Sequence, residues 1–242
     1  MNYFKYFPVT AYGFGNETLP DLFRNISVYI DVIDQIKQKV SFYNDYYIQE
    51  GERPDQISYK LYGTPNYHWT FWFMNDNIRE KGWPLTNVQL IEKIAKDYAH
   101  KVITTRTTLT DRFKVGQTIT GNTSGATGII DHRHLNFGQL VIKSVTGTFV
   151  AGETVSSTNA SEVVETITIT SYEDEKNSAH HYEDADGNYV DIDPTVGPGA
   201  LLTEITYEDR YFAFNDELKT IRIIKPQHII DVVKAYREGL RS

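Results

Sequence analysis

A block without tyrosine or tryptophan interrupts a chain that is otherwise rich in both. The 242 residues include 17 Tyr and 3 Trp, and all of them lie outside residues 99–171. Residues 105–170 instead contain 15 Thr and 7 Gly, and their β-branched and polar residues alternate between glycine turns. Such alternation is typical of short antiparallel strands. We therefore predict a small all-β domain, residues 105–170, inserted into a chain of different character.

An internal repeat within this block limits the topologies that it can adopt. Residues 113–120 read Phe-Lys-Val-Gly-Gln-Thr-Ile-Thr, and residues 149–156, 36 positions later, read Phe-Val-Ala-Gly-Glu-Thr-Val-Ser. Two copies are too few for a solenoid. We predict a small barrel or sandwich, with pairing between the two copies as one way to close it.

Outside this block the hydrophobic pattern predicts both helices and short strands, and thus an α+β fold. Pro54 and Gly63 stand at the positions that such residues favour at the start and just past the end of a helix. The predicted elements are, in chain order, an amphipathic helix from Pro20 to Val40, a strand over 42–48, helices over 54–62, 66–74 and 86–98 (the last with Val88, Ile91, Ile94 and Ala95 facing inward), a hairpin over 182–192, a strand over 221–224 and a helix that begins at Pro226.

Charge divides the C-terminal part of the chain. Residues 171–217 contain 13 acidic and two basic residues, whereas residues 218–242 contain six basic and two acidic residues. We predict four segments: residues 1–44, an N-terminal arm and amphipathic helix; residues 45–104, a helical module; residues 105–170, the inserted β domain; and residues 171–242, an acidic hairpin region followed by a basic helix.

The composition disfavours several classes of function. With 24 Lys and Arg against 32 Asp and Glu, the formal charge of −8 disfavours nucleic acid and anionic membranes as partners. No apolar run reaches the roughly 18 to 20 residues of a membrane span, and the first residues lack the layout of a signal peptide, so we expect a protein made and kept in a cytoplasm. Because the sequence has no Cys, it has no disulfide, thiolate metal site or cysteine nucleophile.

The sequence predicts no catalytic, metal or cofactor site. His132 and His134 would face the same side of a strand, but no third ligand accompanies them, and we expect surface histidines. The acidic run from Asp184 lacks the glycine and glutamate positions of a calcium loop, so its Asp-Gly pair predicts a hairpin turn. The glycines of residues 121–128 lack the lysine of a phosphate loop. A carboxylate pair for glycoside hydrolysis could meet only in the fold, and nothing singles out two of the 32 acidic residues.

Several motifs resemble those of a known family. They are Tyr3-Phe4 with Phe7-Pro8, Asp21-Leu22-Phe23-Arg24-Asn25, the run from Arg53-Pro54 through Tyr62-Gly63 and Trp69 to Asn75-Asp76-Asn77, Trp83-Pro84-Leu85, Phe214-Asn215-Asp216-Glu217 and the segment 221–226. Together they resemble the baseplate wedge protein of contractile-tailed bacteriophages, the gene fifty-three product family. Residues 45–104 in particular resemble a LysM-like βαα module. The resemblance covers residues 1 to about 104 and 171–242, while the block between them resembles small β inserts of other phage virion proteins.

This resemblance implies a structural role. Such a protein would be a subunit of a phage tail baseplate wedge that clamps neighbouring wedge subunits and helps join the wedges around the hub. Its partners would be other wedge and hub proteins, with no nucleic acid, membrane or small-molecule substrate. It would have no catalytic activity and no cofactor. It would be located in the virion, in the tail baseplate, and be assembled in the host cytoplasm.

The resemblance does not say which residues make contact, so the expected anchors follow from the preference of interfaces for aromatic and Arg side chains. Trp69 and Trp72 could equally belong to the core of the protein. Two other functions stay open: a LysM module that binds peptidoglycan through N-acetylglucosamine, in a phage or bacterial surface protein, and a wall-degrading tail enzyme. The expected anchors are Tyr3, Phe4 and Phe7 in the arm and Arg53, Tyr62, Trp69, Trp72 and Trp83 in the LysM-like module.

Overall fold

The structure, a computed structural model, describes residues 7–13, 15, 19–25, 37 and 40–240. The chain divides into two compact units, Met1–Thr86 with Asn215–Ser242 and Asn87–Phe214. Helices and strands are present in similar proportion, so the predicted α+β class is confirmed. In the part of the chain that the structure describes, no helix has both the length and the apolar character that crossing a bilayer requires.

The described chain contains thirteen strands, six α-helices and several short 3₁₀ helices. The strands are β1 (Val9–Tyr12), β2 (Asp21–Arg24), β3 (Tyr43–Tyr47), β4 (Lys101–Thr105), β5 (Thr118–Gly121), β6 (Thr127–His134), β7 (Gln139–Thr146), β8 (Thr154–Thr158), β9 (Val164–Asp174), β10 (Ala179–Glu183), β11 (Tyr189–Val190), β12 (Thr203–Thr206) and β13 (Thr220–Ile224). The α-helices are α1 (Pro54–Tyr62), α2 (Trp69–Met74), α3 (Asp76–Lys81), α4 (Asn87–Asp97), α5 (Tyr207–Lys219) and α6 (Ile229–Gly239).

The first unit is built around the antiparallel pair β3 and β13. Its register runs from Tyr43 opposite Ile224 to Tyr47 opposite Thr220, so a late segment of the chain completes a sheet that begins before α1. In the last helix the regularly spaced apolar residues Ile229, Val233, Tyr236 and Leu240 are all buried, although its predicted first turn, Pro226–His228, is a 3₁₀ helix. The buried core of this unit consists of Phe7, Phe73, Met74, Ile224, Ile229, Val232, Val233, Tyr236 and Leu240.

The predicted helix from Pro20 to Val40 is wrong at its start. Asp21–Arg24 forms strand β2, which pairs antiparallel with β1 from Val9 opposite Arg24 to Tyr12 opposite Asp21. Backbone pairing with a neighbouring strand thus replaces the local helical preference. Residues 26–36, 38 and 39, which carry most of the predicted apolar stripe, lie outside the described residues.

The helix predicted over 54–62 is confirmed to the residue as α1. Gln56 accepts a hydrogen bond from the Arg53 backbone N–H at 3.0 Å, and Gly63 ends the helix in the left-handed conformation with φ of 70°. The next predicted helix, over 66–74, is instead divided into a 3₁₀ turn at Pro65–Tyr67, capped by Thr64, and helix α2.

The second unit contains a closed six-stranded barrel with the strand order β4-β7-β6-β5-β8-β9. All neighbouring strands are antiparallel, and closure removes the exposed edges that an open sheet of this size would have. The predicted insert, 105–170, lies within this barrel, whose strands run from Lys101 to Asp174. Its interior is filled by Ile103, Leu109, Phe113, Ile119, Ala126, Ile130, Leu140, Ile142, Phe149, Val155, Ile167 and Ile169.

The two copies of the internal repeat supply two neighbouring strands of the barrel. Strands β5 and β8, one from each copy, pair with Ile119 opposite Ser157 and Gly121 opposite Val155. Both repeat phenylalanines are buried, and the two equivalent glycines, Gly116 and Gly152, have nearly equal φ of 88° and 87°. Pairing of the two copies within a closed barrel is therefore confirmed.

The remainder of the second unit consists of helices and a small sheet. Strand β10 pairs with both β11 and β12, and the turn after Asp184 is the hairpin that the Asp-Gly pair predicts. Helix α4 forms where predicted, but it buries Leu90 and Ile94 while Val88 and Ile91 are exposed. The predicted inward face of α4 is thus wrong for Val88, Ile91 and Ala95. Helix α5 was not predicted. The sequence boundary between the two units, Phe214 to Asn215, lies within this helix.

Candidate subunit interface

Two packed aromatic groups in the first unit contain most of the predicted anchors. In one group the rings of Trp69 and Tyr236 lie 4.9 Å apart, and Phe7 is 2% exposed with its ring 6.5 Å from that of Tyr236. Phe7 therefore belongs to the core of its own chain. Tyr3 and Phe4 lie outside the described residues.

The second aromatic group consists of Tyr62, Phe71, Trp72 and Trp83. Tyr62 stacks on Phe71 at 6.3 Å, and Trp83 lies 6.2 Å from Phe71 and 5.4 Å from Trp72. The Tyr62 hydroxyl donates to the Ile224 carbonyl at 2.8 Å, and its burial raises the pKa of the phenol. The Trp83 indole N–H donates to the Glu52 carbonyl at 2.9 Å. Phe71 is fully buried and the other three rings are half-buried, so packing within the unit accounts for much of their surface.

Arg53 differs from the other predicted anchors because its side chain is 72% exposed. It lies at the start of α1, where its guanidinium pairs with Asp55 at 3.1 Å. An exposed pair of this kind contributes little to folding. Arg53 is therefore available to a partner, whereas the aromatic anchors have structural partners of their own.

Beside Arg53, Glu52 organises a small polar network. Its carboxylate accepts hydrogen bonds from the Tyr46 hydroxyl at 2.9 Å, from the Gln49 backbone N–H at 2.9 Å and from the Lys60 ammonium at 3.1 Å. Desolvation opposes the effect, but these hydrogen bonds hold the pKa of Glu52 below its ordinary value. The network fixes the loop between β3 and α1.

Two buried asparagines of the family motifs have a structural task that sequence reasoning missed. The Asn75 amide donates to the carbonyl of Arg222 at 2.8 Å and accepts from the Arg222 N–H at 2.7 Å. In the same way, Asn215 accepts from the Leu85 N–H at 2.8 Å and donates to the Leu85 carbonyl at 3.0 Å. Each amide thus pairs with both the backbone N–H and the carbonyl of a residue more than a hundred positions away. Their position beside hydrophobic motif residues was the only sequence signal for this role.

The β1–β2 hairpin of the first unit exposes several apolar side chains. Every residue of both strands is exposed, including Val9 at 52% and Leu22 at 72%. Val9 and Leu22 share one face of the ribbon, since residues two apart along a strand point to the same side. Leu19, in the connection between the strands, is 78% exposed. A two-stranded ribbon is at best marginally stable in water, so further packing is expected to stabilise this one.

The expectation of surface histidines is wrong for His181 of the second unit, whereas His132, His134 and His180 are partly exposed. His181 is buried and stacks on Tyr189 at 4.2 Å between ring centroids, and its Nδ1 lies 2.9 Å from Nδ1 of His180. His134 Nε2 lies 3.1 Å from the Tyr207 hydroxyl. Among the described residues, no three His, Asp or Glu side chains are placed to hold a metal ion.

Acid should destabilise the second unit through His180. Desolvation, followed by Arg210, His181 and His134 as neighbouring positive groups, lowers the pKa of His180 to about 4. Because this folded pKa lies below the unfolded value of about 6.5, the unfolded chain binds the proton first and stability falls as pH drops from 6.5 towards 4. After allowance for its partial exposure, we expect a loss of about 1 kcal/mol between pH 7 and pH 5.

Amide hydrogen exchange in the barrel strands would measure this loss. His180→Asn should reduce the pH dependence, whereas His68→Gln, a variant in the first unit, should leave it unchanged. An unaltered pH dependence in the His180 variant would contradict the assignment.

Comparison with known proteins finds a family match that covers parts of both units. Residues 14–100 match the family model described as base plate wedge protein 53. No curated protein matches the chain. The matched range includes β2, β3, α1, α2, α3 and α4, together with Arg53, Tyr62, Trp69, Trp72 and Trp83. The resemblance inferred from the motifs is confirmed for residues 14–100, which are similar to the base plate wedge protein 53 family, a family of structural proteins of the phage tail baseplate.

Proposed function

We propose that this protein clamps neighbouring wedge subunits, helps join the wedges around the baseplate hub and has no enzymatic activity. It assembles in the host cytoplasm before the virion is complete. The observation that carries the proposal is the exposed β1–β2 hairpin, because it places apolar side chains in water on a ribbon that needs further packing. A wedge or hub subunit provides that packing.

The hairpin suits this role for two reasons. Its backbone remains within the first unit, since Arg24 donates to the Phe7 carbonyl at 2.7 Å and the Asn25 N–H donates to the Pro8 carbonyl at 2.8 Å. Phe7 is in turn buried in the core. A partner that covers the hairpin is thereby linked to the core of the wedge protein, which is what a clamp requires.

The rest of the interface lies on a LysM-like module. The order of β3, α1 and α2 supports this description, and β13 extends its sheet. Arg53 is its exposed anchor, and Tyr3 and Phe4 extend the contact from the arm. Tyr62, Trp69, Trp72 and Trp83 contribute through the edges of rings that are half-buried in the module. The acidic residues of 171–217 and the basic residues of 218–242 orient the subunits as they dock.

Co-expression with the other wedge subunits tests the proposal. The variant Val9→Asp with Leu22→Asp puts two charges on the exposed face of the hairpin, where they cannot be buried without a large cost. We expect the co-eluting wedge complex to be lost while the isolated protein keeps its circular dichroism spectrum. Leu201→Asp is the matched control, because Leu201 is 90% exposed in the second unit, and it should not affect assembly.

Other outcomes would refute the clamp. A double variant that assembles like the unmodified protein would exclude the hairpin as the contact. Retention on purified peptidoglycan that is lost on substituting residues 52–56 would favour a glycan receptor at the LysM-like module. Clearing of a cell-wall suspension by the pure protein would show a wall-degrading enzyme.

A further inference from the structure

A polar cleft of about 930 Å³ lies on the outside of the barrel in the second unit. Its floor is the outer face of strands β5 and β8, where Thr118, Thr120 and Thr158 are exposed and Ser156 lies opposite Thr120. Its walls are the loops before β5 and after β8. The volume is within the range of sites that hold a small ligand or a short segment of a polymer.

A buried carboxylate orients the amide groups in the wall of this cleft. Glu165, which is 8% exposed, accepts hydrogen bonds from the Asn159 side chain at 3.0 Å, the Gln117 side chain at 3.4 Å and the Phe113 N–H at 2.8 Å. Each side-chain amide has a second N–H that is not used in this contact. The cleft therefore presents fixed amide donors beside a row of hydroxyl groups, so little side-chain entropy is lost when a ligand binds.

The internal repeat indicates that the fold itself does not require an open cleft. In the second copy, Glu153 stands at the position of Gln117 and binds the backbone N–H groups of Thr123 and Ser124 in the adjacent turn at 3.1 and 2.9 Å. That turn closes over Glu153. Around Gln117 the equivalent space stays open, with the longer turn at 159–163 on its far side.

The chemistry of the lining discriminates among ligand classes. All of the lining residues are described, and none of them is aromatic, which disfavours a protein partner with hot-spot anchors. Lys114 is the one basic residue of the lining, against Asp111 and Glu165, which disfavours phosphates and nucleic acid. Hydroxyl and amide groups, which both donate and accept hydrogen bonds, match the many hydroxyls of a neutral saccharide.

We propose that this cleft binds a neutral saccharide chain. The hydroxyls of Thr118, Thr120 and Thr158 and the free N–H groups of Gln117 and Asn159 bind sugar hydroxyls, and binding is weak because no ring stacks on the sugar. The site lies outside residues 14–100 and adds a glycan-binding function to the structural role. It does not depend on the β1–β2 hairpin.

Titration of the full chain with maltohexaose, cellohexaose and the hexamer of N-acetylglucosamine tests the proposal. We expect saturable amide chemical-shift changes, with at least one of the three sugars, at residues of the cleft. Thr118→Val with Thr120→Val removes two hydroxyls from exposed strand positions and should weaken binding by about tenfold or more. Thr166→Val with Thr170→Val, on the exposed face of β9, is the matched control and should bind normally.

The proposal is overturned if none of the three sugars binds at about 10 mM, a concentration that would reveal even millimolar affinity. It is also overturned if the cleft variant binds as well as the control, or if the cleft variant loses wedge assembly rather than sugar binding. The hairpin variant of the previous section should retain sugar binding, so failure of either proposal can be recognised separately.

Discussion

Asn75→Ala is expected to lower the free energy of unfolding of the first unit by about 3 kcal/mol. Asn75 is 7% exposed, and its amide makes three hydrogen bonds, to the Phe71 carbonyl, the Arg222 carbonyl and the Arg222 N–H, all between 2.7 and 2.8 Å. Alanine leaves both backbone polar groups of Arg222 without these partners, in a place that is partly buried. The loss of each of the three hydrogen bonds costs on the order of 1 kcal/mol.

The reason for this large effect is that Asn75 takes the place of a strand. One edge of β13 is paired with β3, and Asn75 offers the other edge a donor and an acceptor in the geometry of a peptide group. Urea unfolding followed by tryptophan fluorescence is a suitable measurement, since Trp69, Trp72 and Trp83 all lie in this unit. Asn77→Ala, two residues further on and half-buried, should change stability by about 0.5 kcal/mol or less. Equal effects of the two variants would contradict the assignment.

Such contacts explain which parts of the fold the sequence could predict. The ends of α1 were predictable because Pro54 and Gly63 act locally, through a fixed φ and a left-handed cap. The pairing of β5 with β8 was predictable because the repeat places the same strand twice in one chain. By contrast, β2 forms because a second segment, β1, pairs with it. The hydrophobic periodicity of residues 20–40 alone cannot reveal that pairing.

Helix α5 was missed although its start carries a usable signal. Thr206 and Asp209 form a reciprocal cap, in which the Asp209 N–H donates to the Thr206 hydroxyl at 3.0 Å and the Thr206 N–H donates to the Asp209 carboxylate at 3.1 Å. Helix α4 presents the opposite difficulty. Leu90 with Ile94 and Val88 with Ile91 both have helical spacing, so the pattern alone could not decide which pair faces inward.

The candidate interface was predictable only in part for the same reason. Aromatic content marks the helical module as the place of candidate anchors, but a single sequence does not separate a ring that packs internally from one that contacts another subunit. Trp69 packs on Tyr236 of α6, and Tyr62 donates a hydrogen bond to Ile224 of β13. Both elements lie far away in sequence. The exposed hairpin has no clear sequence signal, because its strands have only four residues each and lie in segments whose pattern predicts an arm and a helix.

Glu153→Ala is expected to destabilise the barrel by about 3 kcal/mol. Glu153 is 5% exposed, and its carboxylate accepts hydrogen bonds from the backbone N–H groups of Val150, Thr123 and Ser124 and from the Ser124 hydroxyl, at 2.7 to 3.1 Å. Desolvation opposes ionisation, but these donors hold the pKa of Glu153 below its ordinary value. The contribution is therefore present above pH 4.5 and is lost as pH falls through the lower folded pKa. The pH range over which this contribution is lost lies below the range over which His180 lowers stability.

The repeat supplies a graded variant for this prediction. Glu153→Gln gives the second copy the residue that the first copy has at Gln117, where the side-chain oxygen accepts only the Lys114 N–H. Glutamine can keep the equivalent bond from Val150 but presents an NH₂ group to the donors of Thr123 and Ser124. We expect it to lose about half as much stability as alanine, and Glu92→Ala, exposed on α4, to lose almost none. Hydrogen exchange of the β5, β6 and β8 amides measures all three. If glutamine proved as stable as glutamate, one hydrogen bond would suffice to close the turn, and the charge of Glu153 would have no structural role.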